Sequence, residues 1–127
     1  VVSTPQNVAL ADARKGVAMF QQESINVPVL GIIENMAYFT PEELPENKYY
    51  IFGTGGGRKL SDKFDVPFLG EVPIVQSIRE SGDSGYPVVL KEGVSSTAFM
   101  EISRKLAQQV AIRNANYDKT KVVEVKV

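Results

Sequence analysis

Val27-Pro28-Val29-Leu30-Gly31-Ile32-Ile33-Glu34-Asn35 is repeated, with changes, as Val66-Pro67-Phe68-Leu69-Gly70-Glu71-Val72-Pro73-Ile74. Each copy opens Val-Pro, passes one apolar residue and reaches Leu-Gly before it turns polar. Short, continuously apolar, β-branched runs bounded by Pro and Gly read as strands covered on both faces, as in parallel sheets flanked by helices. Ligands in such folds sit beyond the carboxyl ends of the strands. Glu34-Asn35 and Glu71-Val72-Pro73 are therefore the candidate binding residues.

The segments around the two copies fit the same plan. Ser3 or Thr4 before Pro5 is a helix entry, with a hydroxyl to cap and Pro at the first helical position. The helix is expected to run to about Gln22, burying Leu10, Ala13, Val17 and Phe20 and turning Asp12, Arg14, Lys15 and Gln21 outward. Gly16 within it reads as a close-packing position. Strand, helix and strand in succession force parallel pairing. After Asn35 the apolar pattern stops, and TPEELPEN (residues 40–47) reads as a solvated loop. Tyr49 to Phe52 reads as a short strand, Arg58 to Phe64 as a short helix and residues 77–86 as a loop. Pro87 to Leu90 is expected to be extended. Ser95 or Ser96 opens the last helix, with Phe99, Ile102, Leu106 and Val110 as its apolar stripe. Residues 1–113 form one unit and 114–127 a polar tail, whose VVEVKV alternates with period two like an edge strand. The chain begins Val1-Val2, which reads as the end of a strand begun earlier.

Composition excludes several functions. With 43% apolar and 23% charged residues in 127, the chain can bury a real core and is not disordered. No apolar run approaches the length of a membrane span. A net charge of -1 gives no field to gather nucleic acid or anionic lipid. There is no Cys and no His, so thiol and imidazole chemistry and the commonest transition-metal ligands are missing. Without disulfides or a targeting signature, the expected compartment is the cytoplasm.

Three polar features remain. Gly53-Thr54-Gly55-Gly56-Gly57 before a helix has the composition of a phosphate cradle, but a Walker A loop counted from Gly53 needs Gly where Arg58 stands. The simpler reading is a turn that needs positive φ at several residues. Glu34 and Glu71 invite a reading as paired acid and base; the simpler reading is strand-end carboxylates satisfied by loop amides. Asn35 offers a donor and an acceptor together, which matches a purine edge.

STPQNVALADARKGVAMF, VPVLGIIENMAYF, IFGTGGGRKL, VPFLGEVPI and IRESGDSGYPVV, in this order, resemble the C-terminal half of the Mrp family. These are P-loop ATPases related to MinD that act as iron-sulfur cluster carriers. The resemblance implies an α/β fold, the C-terminal part of a doubly wound, mostly parallel sheet with flanking helices. It implies that the phosphate loop and Mg-binding acid lie upstream of Val1, so that the full-length protein hydrolyses ATP with Mg and this portion alone does not. It gives Asn35 of the Glu-Asn-Met motif to the adenine base, with Glu71, Val72 and Pro73 lining the same pocket. It further implies a homodimer and apo-protein clients that receive clusters, with no role for nucleic acid or membrane. One departure bears on the cargo. Where the family carries Cys-x-x-Cys after the Tyr-Phe, this chain has Thr40-Pro41-Glu42-Glu43-Leu44-Pro45, and clusters need thiolates. The alternative is a nucleotide-gated scaffold or partitioning-type switch that carries no cluster and binds a protein through residues 40–50.

Overall fold

The computed structural model of the protein describes residues 1–119. The alternating segment at 122–127 lies outside them. In chain order the elements are β1 (Val2–Ser3), α1 (Asn7–Phe20), β2 (Ile32–Phe39), α2 (Gly56–Phe64), β3 (Phe68–Ile74), α3 (Gln76–Ser84), a 3-10 turn (Val88–Leu90) and α4 (Val94–Asn116). The three strands form one parallel sheet in the order β1-β2-β3. This is the parallel, helix-flanked architecture the repeated Val-Pro runs predict.

Successive residues of a strand point to opposite faces. Ile32 packs with Leu10, Val17 and Leu60 from α1 and α2. Its neighbour Ile33 packs against the cluster of Leu69, Val72 and Ile102. One face of the sheet thus carries α1 and α2, and the other carries α4. Val17 and Ile32 are both fully buried. Burying each such side chain is worth roughly 1.5–3 kcal/mol. That explains why a sheet with a two-residue first strand holds its register, Val2 to Ile33 and Ser3 to Glu34.

Several boundaries differ from expectation. Val27 to Leu30 approach the sheet without pairing, and β2 starts only at Ile32 but continues to Phe39. From Asn35 to Phe39 β2 advances four residues while β3 advances two, Val72 to Ile74. Pro73 lies between them and has no N–H for the ladder, so the facing strand bulges, as strands do opposite or at Pro. Met36 takes up the bulge at φ 54° and points outward.

α1 begins at Asn7 behind Gln6, with no side-chain cap, because Ser3 is committed to β1. A Cβ on Gly16 would meet nothing within 4 Å, so that glycine is not a packing contact. Residues Tyr49 to Phe52 contribute a single antiparallel bridge, Phe39 to Tyr49, and no strand. Most of the 77–86 stretch expected as loop falls in α3, Gln76–Ser84, closed by Gly85 at φ 69°. Val88–Leu90 is a 3-10 turn where an extended segment was expected. In α4, Ile102 is buried and Phe99 packs beside it. Leu106 and Val110 are 37% and 40% exposed. The helix is 23 residues and β3 is 7. At about 1.5 and 3.3 Å per residue the helix outruns the strand by roughly 10 Å, and its last turns, through Asn116, overhang the sheet.

Candidate functional site

Glu34 lies on the middle strand and is 1% exposed. Its Oε2 accepts the Gly57 N–H at 2.5 Å, at the start of α2. The glycine stretch explains itself here. A Cβ on Gly56 would fall 2.6 Å from Leu10 Cδ1 and 2.8 Å from the Pro5 carbonyl oxygen. One on Gly57 would fall 3.0 Å from Glu34 Cβ. Only bare backbone lets α2 come down onto β2 and present its amide to the carboxylate. Gly53 and Gly55 supply the positive φ of the turn, 99° and 66°. The anion at this helix N-terminus is therefore the protein's own Glu34, which bears out the loop-amide reading of that residue and leaves the phosphate-cradle reading without a seat.

Glu34 and Glu71 are partners in register across β2 and β3. Glu34 is spent on Gly57, whereas Glu71 lines a separate cleft of about 450 Å³ with Arg58, Lys48, Lys105 and Glu101. Lys48 Nζ stands 4.2 Å from the Tyr38 ring centre and Arg58 4.5 Å from that of Phe68. The two glutamates do not meet as an acid–base pair.

Asn35 is half-buried and pairs in register with Val72. Its Oδ1 accepts the Met36 N–H at 3.0 Å, which holds the side chain against the bulge. Of the donor and acceptor expected, one acceptor lone pair is taken by the backbone of the next residue. Val72 is buried in the cluster with Leu69 and Ile102, and Pro73 is buried beside it. Of the four residues expected to bind, the sheet thus sets Asn35 beside Val72-Pro73 and turns Glu71 into the other cleft.

Beyond Phe39 the chain is clasped. Phe39 N–H donates to the Tyr49 carbonyl at 2.8 Å and Tyr49 N–H to the Phe39 carbonyl at 2.9 Å. The intervening loop covers a cavity of about 290 Å³, between Thr40 and the start of α4. Sequence reasoning opened this helix at Ser95 or Ser96, and it begins at Val94 behind Gly93. It passed over the burial of Thr40, since a threonine inside a polar loop carries no such signal. Among the described residues no cluster of three Asp, Glu, His or Cys is placed to hold a metal ion. No helix among them is long and apolar enough to cross a membrane.

This arrangement is the open α/β sheet of the P-loop NTPases. Against solved structures the chain is similar to the Archaeoglobus fulgidus nucleotide-binding protein in complex with ADP, with TM-score 0.59 and 33% identity over 72% of this chain and 37% of that one. It shares the fold of the Pyrococcus furiosus cell division ATPase MinD, with TM-score 0.60 and 19% identity over 84% and 41%. The family model of the NUBPL iron-transfer P-loop NTPases matches residues 1–111, and the chain belongs to that family. The iron-sulfur cluster carrier protein of Synechocystis is 47% identical over 88% of this chain and 32% of its own length. The iron-sulfur cluster transfer protein NUBPL of Dictyostelium discoideum is 41% identical over 94% and 36%. The chain thus spans about a third of the length of these relatives. The Mrp-type resemblance and the fold class it implied both hold.

Proposed function

We propose that this chain forms the base-recognition side of a nucleotide-dependent iron-sulfur carrier of this family. The observation that carries the reading is Asn35, whose Oδ1 accepts the Met36 N–H at the bulge within β2, beside Val72 and the buried Pro73 of β3. An amide N–H there suits a purine ring nitrogen, and Pro73, with no N–H, supplies an apolar edge. The similarity to an ADP-bound protein supports a nucleotide in this class of fold. ATP with Mg, hydrolysis, dimerisation and delivery of clusters to apo-proteins belong to the same proposal at the level of the longer relatives. When bound, the nucleotide would supply phosphoryl-transfer chemistry; the residues of this chain bind and orient its base. No Walker A spacing occurs in these 127 residues, and phosphoryl transfer depends on held phosphates and Mg, so the chain alone is expected to show no ATP turnover.

The test is calorimetric titration of ADP, and of pyrophosphate, into a protein in which this chain is continuous with a Walker A region. Asn35→Ala should weaken ADP by roughly 1–3 kcal/mol, the cost of leaving a polar partner unpaired. Pyrophosphate, which has no base, should bind unchanged. Equal ADP affinity in the variant and the parent removes Asn35 from the site.

A second reading, a nucleotide-gated switch without a cluster, is favoured by one observation. The loop that would carry thiolates holds none, and Leu44, Tyr49, Tyr50 and Ile51 beside it are 52%, 49%, 50% and 60% exposed. Anaerobic reconstitution separates the two: stoichiometric iron on the protein favours the carrier, and none favours the switch.

A further inference from the structure

Among the described residues β3 is an outermost strand, with β2 on one side and no strand on the other. No backbone group of residues 68–74 bonds outside the β2 ladder among the described residues. An edge strand presents every second N–H and C=O outward, and proteins commonly cover such a row or break it. Seven residues at about 3.3 Å each make this edge roughly 23 Å long.

The cleft of about 450 Å³ that holds Glu71 runs along this edge, because both faces of the sheet contribute to its walls. Phe68 packs on the face of α1 and α2, against the Leu10 cluster, and Arg58 of α2 lies over its ring. Gly70 opens to the other face, where Ile102 of α4 is its neighbour. A space bounded by α2, by α4 and by the β3 residues between them passes around the free side of the strand.

The two walls differ in chemistry. Arg58 and Lys48 each rest on an aromatic ring, at 4.5 and 4.2 Å, and neither forms an ion pair among the described residues. The rings hold these cations in place, and with only Glu71 beside them the balance favours one more carboxylate. On the α4 wall the charges of Glu101 and Lys105 offset each other, while Gly70 and Ala98 are small and leave room for an apolar side chain.

We propose that the free edge of β3 accepts an extended segment of a partner protein as an additional strand. That segment places an acidic side chain toward Arg58 and Lys48 and, on the next residue, a compact apolar side chain toward Gly70 and Ala98. Neighbouring side chains of an added strand fall on opposite faces, so the acidic–apolar alternation matches the two walls. Backbone hydrogen bonds supply affinity in this mode of recognition, and the alternating side chains supply selectivity. Asn35 does not line the cleft, so the site is separate from the base site and does not depend on a nucleotide.

The probe is the synthetic peptide acetyl-Lys-Thr-Val-Asp-Val-Thr-amide, titrated into the ¹⁵N-labelled 127-residue chain while the amide signals of residues 68–72 are followed. It should give saturable shifts there and slow the exchange of alternate β3 amides. The same peptide with Asn for Asp should bind about fivefold more weakly, the ratio of roughly one net hydrogen bond, and Arg58→Gln should weaken the Asp peptide by the same factor. Thr97→Trp, at an exposed position of the α4 wall, fills that side of the cleft and should weaken binding at least about fivefold. Only one alternate set of peptide amides can face β3. N-methylation of the two Val residues, or of Asp and the last Thr, should therefore abolish binding in one case and spare it in the other. The proposal is overturned by the absence of saturable shifts in β3, by equal affinity of the Asp and Asn peptides, by unchanged affinity in Arg58→Gln or Thr97→Trp, or by equal effects of the two methylations. Protection of β3 amides that grows with protein concentration and needs no peptide would give the edge to a second copy. Protection lost on removal of residues 120–127 would give it to the chain's own end; either overturns the proposal.

Discussion

The two Val-Pro-x-Leu-Gly stretches share a sequence and do different work. In the first, Leu30-Gly31 precede the strand, and the paired residues are Ile32 to Phe39. In the second, Leu69-Gly70 lie within β3. Both glycines are places of close approach, but what approaches differs. A Cβ on Gly31 would meet Leu69 Cγ at 2.6 Å and the Pro67 carbonyl oxygen at 2.7 Å. A Cβ on Gly70 would meet only the Ile102 side chain, at 2.7 Å. The first glycine seats one strand against the backbone leading into the next, and the second seats a helix. A repeat in sequence therefore marks a shared need for bare backbone and not a shared place in the sheet.

The contrast can be broken or sharpened by four substitutions. Gly31→Ala should cost the most, about 3 kcal/mol, at the upper end of ordinary overpacking, because the obstructing Pro67 carbonyl cannot turn away. Urea unfolding monitored by circular dichroism reads this directly, and a midpoint equal to that of Gly70→Ala would show that the two glycines are equivalent after all. Glu34→Ala should follow at about 2 kcal/mol, since it removes a charge-assisted hydrogen bond and leaves the Gly57 amide buried without its acceptor. Amide exchange at Gly57 should accelerate in that variant; unchanged protection would mean that another group caps α2.

Gly70→Ala should cost about 1–2 kcal/mol. Because the obstacle is one side chain, combining it with Ile102→Ala should cost less than the sum of the singles, and additivity in that double-mutant cycle would refute the contact. Gly16→Ala should have the smallest effect and the opposite sign, a gain of about 0.5–1 kcal/mol from helix propensity, since the new methyl meets nothing. A lowered melting temperature in that variant would show a contact that the structure does not.

Much of the parallel sheet was legible because apolar β-branched runs and Val-Pro boundaries are local signals, and the stripe Leu10, Ala13, Val17, Phe20 was legible because helix periodicity is local too. What escaped was set by partners distant in sequence. β2 runs past Asn35 because Tyr49 returns to pair with Phe39, and it bulges because Pro73 stands on the other strand. Residues 76–84 carry too few apolar positions to announce a helix, yet Ile78 finds a place against the Leu69 cluster and Gly85 closes the turn. At the candidate site, Glu34 and Asn35 were read as the end of a strand, whereas β2 continues to Phe39 and holds both in its interior. The burial of Glu34 under Gly57 followed the plainer of its two readings, and the burial of Thr40 had no counterpart in the pattern.

The clasp between Phe39 and Tyr49 fixes both ends of the loop with two backbone hydrogen bonds and two aromatic rings whose centres lie 6.3 Å apart. The closure entropy of the loop is met at its base, whatever lies between. Residues 42–48 are all exposed. Such a segment should behave as an interchangeable cassette, held between the same two aromatic posts whatever its composition. Its composition is therefore free to follow what the protein must hold or meet, and a loop grafted from a Cys-containing relative between Phe39 and Tyr49 should leave the fold as it stands.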